Sequence, residues 1–213
     1  MPAHSVEEYL YAVDGSYRIL FSGGYAAQKP ALWYLGVKNE EASILPLGAT
    51  ADEQEQIANL VRDAGLTGDQ PYQQILLRIY EKGLPTRLTG WSANAFSALK
   101  NAVSAQGGDG GVGNPAVWCL GPSVLNRMIG NSRITGIPEL LDAAAAELFG
   151  SYGTAGVDKP FAVKAGQTAL VVFPRKETPP LEELAGSAAY LTKITIPRSA
   201  CTLIFEQLRR YGL

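Results

Sequence analysis

Histidine is almost missing from this 213-residue chain, which holds one, His4. Ser–His and Cys–His catalysis, and zinc held by imidazoles, need histidine inside the fold, whereas a lone histidine near a terminus is solvated. Those chemistries are set aside. Cysteine is nearly as scarce: Cys119 and Cys201 each lie inside an apolar run, Ala-Val-Trp-Cys-Leu and Ala-Cys-Thr-Leu-Ile. That setting suits buried free thiols rather than a disulfide framework, and it points to a reducing compartment. Excess charge is also lacking. With 18 Lys plus Arg against 20 Asp plus Glu, the chain has no bulk electrostatic footprint for nucleic acid or an anionic membrane. The opening Met-Pro-Ala-His-Ser-Val-Glu-Glu has neither the basic region nor the apolar core of a signal peptide, and no run approaches a membrane span in length. A cytoplasmic protein with no membrane partner is the expectation.

What is present is an ordinary globular composition, in a length that suits one full-sized core. Val6 to Val13 reads as a short helix, and Tyr17 to Phe21 as a strand ending in Ser22-Gly23-Gly24. Leu32 to Val37 and Ser43 to Leu47 suit strands, parted by a turn at Asn39-Glu40-Glu41. Thr50 and Glu53 form a capping box for a helix to about Ala64, and Asp69 with Pro71 opens another that stops at Gly83. Ser92 is the expected N-cap of a helix whose stripe is Phe96, Leu99 and Val103.

Further on, Ala116 to Leu120 reads as a strand, Pro122 to Met128 as a short helix and Glu139 to Phe149 as an Ala- and Leu-rich helix. Thr168 to Phe173 and Tyr190 to Ile196 read as strands, with the acidic, proline-rich 177–183 between them. Ser199 is placed as the cap of a last helix through Tyr211, with Gly212 as its stop. Mixed elements without a regular βαβ rhythm predict one α+β domain over residues 1–213, with a mixed or antiparallel twisted sheet flanked by helices.

Several motifs have dull explanations. Gly107 to Gly113 could cradle an anion, but it lacks a Gly-Lys-Ser/Thr ending and precedes a strand, so it reads as a connection. The pairs Glu7-Glu8, Glu40-Glu41 and Glu182-Glu183 are sequence neighbours, which point apart on a helix and read as solvated faces. Arg209-Arg210 in the last helical turn suits the helix dipole.

The run Gly83-Leu-Pro-Thr-Arg-Leu-Thr-Gly-Trp-Ser92 is different. Arg87 can hold a phosphate or carboxylate with two parallel hydrogen bonds. Thr86 and Ser92 offer hydroxyls, and Trp91 can stack on a base or fill the core. Tyr80 and Glu81 end the preceding helix within reach of the same turn. A ligand site is one reading of this run, and a structural turn is the other.

The same run resembles the FRG-domain family. Its members usually carry Ala-Gln-His-x-Gly-Leu-Pro-Thr-Arg-Leu-Leu-Asp-Trp-Thr, where this chain has Ile79-Tyr80-Glu81-Lys82-Gly83-Leu84-Pro85-Thr86-Arg87-Leu88-Thr89-Gly90-Trp91-Ser92. Phe21-Ser22-Gly23 lies where the family has its naming Phe-Arg-Gly. Ala116-Val117-Trp118-Cys119-Leu120, then Pro122 and Leu125-Asn126, resembles its Val-Trp-x-Leu strand and Pro-x-x-Leu-Asn turn. Lys193 to Pro197 with the Leu208–Gly212 helix end resembles its closing strand and helix, and Gln167 answers to a family glutamine. The departures are pointed. Ser22 replaces the naming Arg, Tyr80-Glu81 the Gln-His pair, and Gly90 the Asp before Trp91.

The resemblance implies a bacterial or phage toxin or defence context and, by analogy of a split α+β fold, a relation to ADP-ribosyltransferases. Three readings follow. One is a binding or regulatory module that holds a nucleotide, a phosphorylated ligand or a protein partner through Arg87, Thr86, Trp91, Ser22, Tyr80 and Gln167. Another is an active ADP-ribosyltransferase-like toxin that takes NAD as its cofactor, with Glu81 as the catalytic carboxylate and Arg87 on the pyrophosphate. The last is a structural or assembly protein that retains only the fold.

Overall fold

The protein is described from a computed structural model, over residues 2–22, 30–46, 59, 80–83, 86–104, 113–128, 159–165, 168–173 and 178–213. The expected helices at 50–64 and 139–149, the body of the helix before Gly83, most of the glycine-rich 107–113 and Gln167 lie outside these residues.

The fold is α+β, and its backbone hydrogen bonds are met by two small antiparallel sheets. Strand β3 (Ala116–Leu120) is buried throughout, which fits its run of apolar side chains. It lies between β1 (Trp33–Val37) and β6 (Leu191–Thr195), with Leu120 opposite Trp33 on one side and Leu191 on the other. The second sheet has β5 (Thr168–Val172) between β2 (Leu88–Trp91) and β4 (Phe161–Ala165). An isolated antiparallel bridge joins the two sheets at Tyr34 and Ser92, each N–H donating to the other's carbonyl at 2.8 Å.

Side chains alternate across β3, and each face makes its own core. Val117 and Cys119 meet α1 (Val6–Leu20), α2 (Ala95–Val103) and α4 (Cys201–Arg210), where Tyr9, Leu99, Ile204 and Leu208 are buried. Trp118 and Leu120 point the other way, into a cluster that holds all three tryptophans of the chain, Trp33, Trp91 and Trp118. A buried indole truncated to alanine costs about 3–5 kcal/mol, so this second cluster weighs heavily in the stability of the fold. Beyond β3, α3 (Pro122–Met128) carries buried Asn126, whose amide donates to Ala162 O at 2.8 Å and accepts from Ala162 N at 2.7 Å. This side chain ties α3 to β4 as a strand neighbour would.

Several sequence expectations are corrected. Tyr17 to Phe21 is not a strand: α1 runs on to Leu20, because Ser16 and Leu20 fall on the same buried face as Val6, Tyr9 and Ala12. Ser5 caps it, its Oγ accepting from Glu8 N at 3.1 Å, while the Glu8 carboxylate accepts from His4 N. The stretch 43–46 is irregular, since Ile44 N donates to the Glu182 carboxylate and Ile44 O accepts from Leu181 N. Asn94, not Ser92, caps α2, its Oδ1 accepting from Phe96 N and Ser97 N. Ser199 does not cap α4 either, because a single 3-10 turn at Arg198–Ala200 leads straight into that helix. Strand β4 had no counterpart in the sequence reading.

Glu40 is more than a solvated carboxylate. Its two oxygens accept from Asn114 Nδ2 at 3.0 Å and Thr195 Oγ1 at 2.8 Å, and Lys193 Nζ donates to its carbonyl. One side chain thus ties the end of β1 to the start of β3 and the end of β6. The hydrogen bonds from Thr195 and Asn114, with the charge of Lys193 behind them, hold its carboxyl below the usual carboxylate range against a small cost of burial.

Candidate functional site

The candidate site begins where Tyr80 and Glu81 close a helical turn, with Gly83 N donating to Tyr80 O at 2.9 Å. Gly83 has φ +70°, the left-handed stop that glycine supplies most easily. Thr86 and Arg87 follow, and both are inside the fold, at 1% and 3% exposure. The Thr86 hydroxyl accepts from Leu88 N at 3.2 Å, and Phe173 N donates to Arg87 O at 3.0 Å, which carries the β2–β5 pairing one residue beyond the strand.

Strand alternation then divides the run. Trp91 enters the tryptophan cluster, and its Nε1 donates to Thr89 Oγ1 at 3.2 Å on the same face. Leu88 and Gly90 face the other way, where the Tyr80 hydroxyl lies directly on Gly90. Tyr80 is half-buried and its phenol is pushed up by that burial. Tyr80 and Trp91 therefore serve opposite faces of β2.

The remaining expected site residues are spread out. Glu81 is exposed. Ser22 is also exposed, its Oγ donating to Ile19 O at 3.3 Å to close the last turn of α1. The Ser92 hydroxyl is engaged in the turn before α2, accepting from Asn94 N. Thr86, Arg87 and Trp91 are thus each buried along the run that leads into and through β2, with Tyr80 above Gly90.

Two polar residues that organise the fold escaped the sequence reading: Asn126 and Glu40. For Asn126 a signal existed, its place in the Pro-x-x-Leu-Asn segment, but that segment alone assigns no partner.

Nucleophilic candidates elsewhere are muted. Both cysteines are free and buried. Burial pushes the Cys119 thiol up to about 12, outweighing the lowering influence of the Ser16 and Thr192 side chains, so it is no thiolate at neutral pH. Burial also raises Cys201 and Tyr34, the latter to about 12. Tyr9, raised by burial, donates to Ala95 O at 2.8 Å as a core hydrogen bond. Among the described residues no group of three His, Cys, Asp or Glu side chains could hold a metal ion, and no helix is long and apolar enough to cross a membrane.

Comparison with family models, curated proteins and solved structures gave no match.

Proposed function

We propose that the chain is an FRG-like binding module in a bacterial or phage toxin or defence setting, which holds a nucleotide or another phosphorylated ligand through Arg87. The carrying observation is that Arg87, 3% exposed, is held inside the fold just before β2. Its planar guanidinium fork suits bidentate contact with a phosphate or carboxylate. Thr86 precedes it in the same buried run, and Trp91 lies further along at the end of β2. The meeting of two three-stranded antiparallel sheets at Tyr34 and Ser92 is in keeping with the split sheet of an ADP-ribosyltransferase-like fold. The free cysteines support a reducing, cytoplasmic setting.

Calorimetry with NAD, nucleotides and polyphosphate tests the reading. One of these is expected to bind, and Arg87→Ala, checked for folding by circular dichroism, is expected to weaken binding at least about tenfold, as loss of a charge-assisted hydrogen bond does. No binding by any of them, or an unchanged affinity in the variant, overturns it.

A structural role is the second reading, and one observation favours it. The Thr86 hydroxyl and the Trp91 indole spend hydrogen bonds within the run itself, and the Ser92 hydroxyl spends its own on Asn94 just beyond it. On that reading Arg87→Ala lowers the stability of the fold and no ligand is found.

A further inference from the structure

Beyond the bridge at Tyr34 and Ser92, β1 and β2 part, and the next residues to face one another across the fork are Gly36 and Gly90. The neighbouring hydrogen bonds set their direction. Tyr34 turns its N–H and carbonyl away from β3 to meet Ser92, and Gly36, two residues on, turns its own the same way. On β2, Phe173 N donates to Arg87 O, so residues 87, 89 and 91 bond toward β5 and Gly90 toward the fork. Among the described residues no hydrogen bond reaches the N–H or the carbonyl of either glycine. Both glycines are half-buried, where a backbone group without a partner is costly.

Tyr80 brings a side chain to the same place. Its hydroxyl lies on Gly90 and makes no hydrogen bond among the described residues. An O–H, two N–H groups and two carbonyls thus stand at one fork without partners. The open stretch is a single residue on each strand, since Val37 bonds toward β3 and ends β1, and Leu88 N donates to Thr86 Oγ1. A peptide strand would find no ladder to join there. A small planar group would find enough donors and acceptors to hold it.

We propose that the fork between β1 and β2 is a binding site for a heterocyclic base, recognised by its hydrogen-bonding edge. The N–H and C=O of one extended residue point the same way, so Gly90 presents a donor beside an acceptor. The complement is a ring edge with an acceptor beside an N–H, as uracil, adenine and hypoxanthine have. Gly36 bounds the site from β1, and the Tyr80 hydroxyl supplies a further hydrogen bond from above Gly90. The site takes the base without its phosphate, so the inference goes beyond the reading of Arg87 and does not depend on it.

Titration of the isotope-labelled full chain with uridine, adenosine and inosine, followed through its backbone amide resonances, tests it. At least one nucleoside is expected to move Gly90 and Gly36 ahead of other amides, saturably. Its counterpart fully methylated at the donor nitrogen is expected to bind at least about tenfold more weakly, and Tyr80→Phe, checked for folding by circular dichroism, to bind the parent nucleoside at least about threefold more weakly. Nucleosides that leave both glycines unmoved, or equal affinity after methylation or in Tyr80→Phe, overturn the proposal. Tripolyphosphate is the control for Arg87: if it binds while no nucleoside moves either glycine, this inference falls and the reading of Arg87 stands.

Discussion

The hydroxyl of Tyr80 occupies the space that a Cβ on residue 90 would fill, so Tyr80 and Gly90 are sterically exclusive partners. Any side chain at 90 must push the phenol aside. The obstacle is the tip of a rotatable side chain, so Gly90→Ala is expected to cost only about 1 kcal/mol in urea unfolding. In a Tyr80→Ala background the same change becomes neutral or gains up to about 1 kcal/mol, because alanine then only rigidifies the strand. A double-mutant cycle without coupling would contradict this relationship.

Gly36 provides the contrast. A Cβ there would collide with the backbone of Ala98 and Ala102, where α2 lies across β1. Backbone cannot swing away as a phenol can, so Gly36→Ala is expected to cost about 3 kcal/mol. Equal denaturation midpoints for Gly36→Ala and Gly90→Ala would refute the distinction.

Asn126→Ala is expected to lose about 2–4 kcal/mol. It strands both the N–H and the carbonyl of Ala162, which Asn126 satisfies at 2.7 and 2.8 Å. Amide hydrogen exchange at Ala162 should accelerate in the variant before exchange in β3 does. Unchanged protection at Ala162 would count against the tie between α3 and β4.

Glu40 makes stability depend on pH. Its carboxyl is held below the ordinary carboxylate value in the folded chain, so its contribution is complete above that value and disappears as pH falls through the lowered one. The stability gap between the parent and Glu40→Ala should be widest near neutral pH and close as pH drops below about 4. Urea titrations across that range measure it, and a constant gap would show that the charge is not involved.

The strands were legible where apolar residues run between clear breakers, as in Ala116 to Leu120, and α3 was legible from Pro122 onward. The second half of α1 was not. Tyr17, Ile19 and Phe21 favour a strand taken locally, and burial of Ser16 and Leu20 on the inner face of the helix, with Leu20 packed on Leu32, overrides that preference. Strand β4 was missed because Phe161 to Ala165 is short and has no strict alternation. Ser92 and Asn94 are equally able caps, and the choice fell to Asn94 once the Ser92 backbone was taken by Tyr34. Of the candidate site, the run itself was legible in composition, and Thr86, Arg87 and Trp91 are each buried along it. Their inward placement was not, because residue type does not say which side of a wall a polar group will occupy.

The bridge between the sheets has an optical consequence. Trp33 and Trp91 immediately precede the bridging residues Tyr34 and Ser92, and both share a cluster with Trp118. Indoles buried in one cluster sense the same packing, so near-ultraviolet dichroism and intrinsic emission report on the core beside the junction. The chain has its own built-in probe of whether its two sheets stay joined.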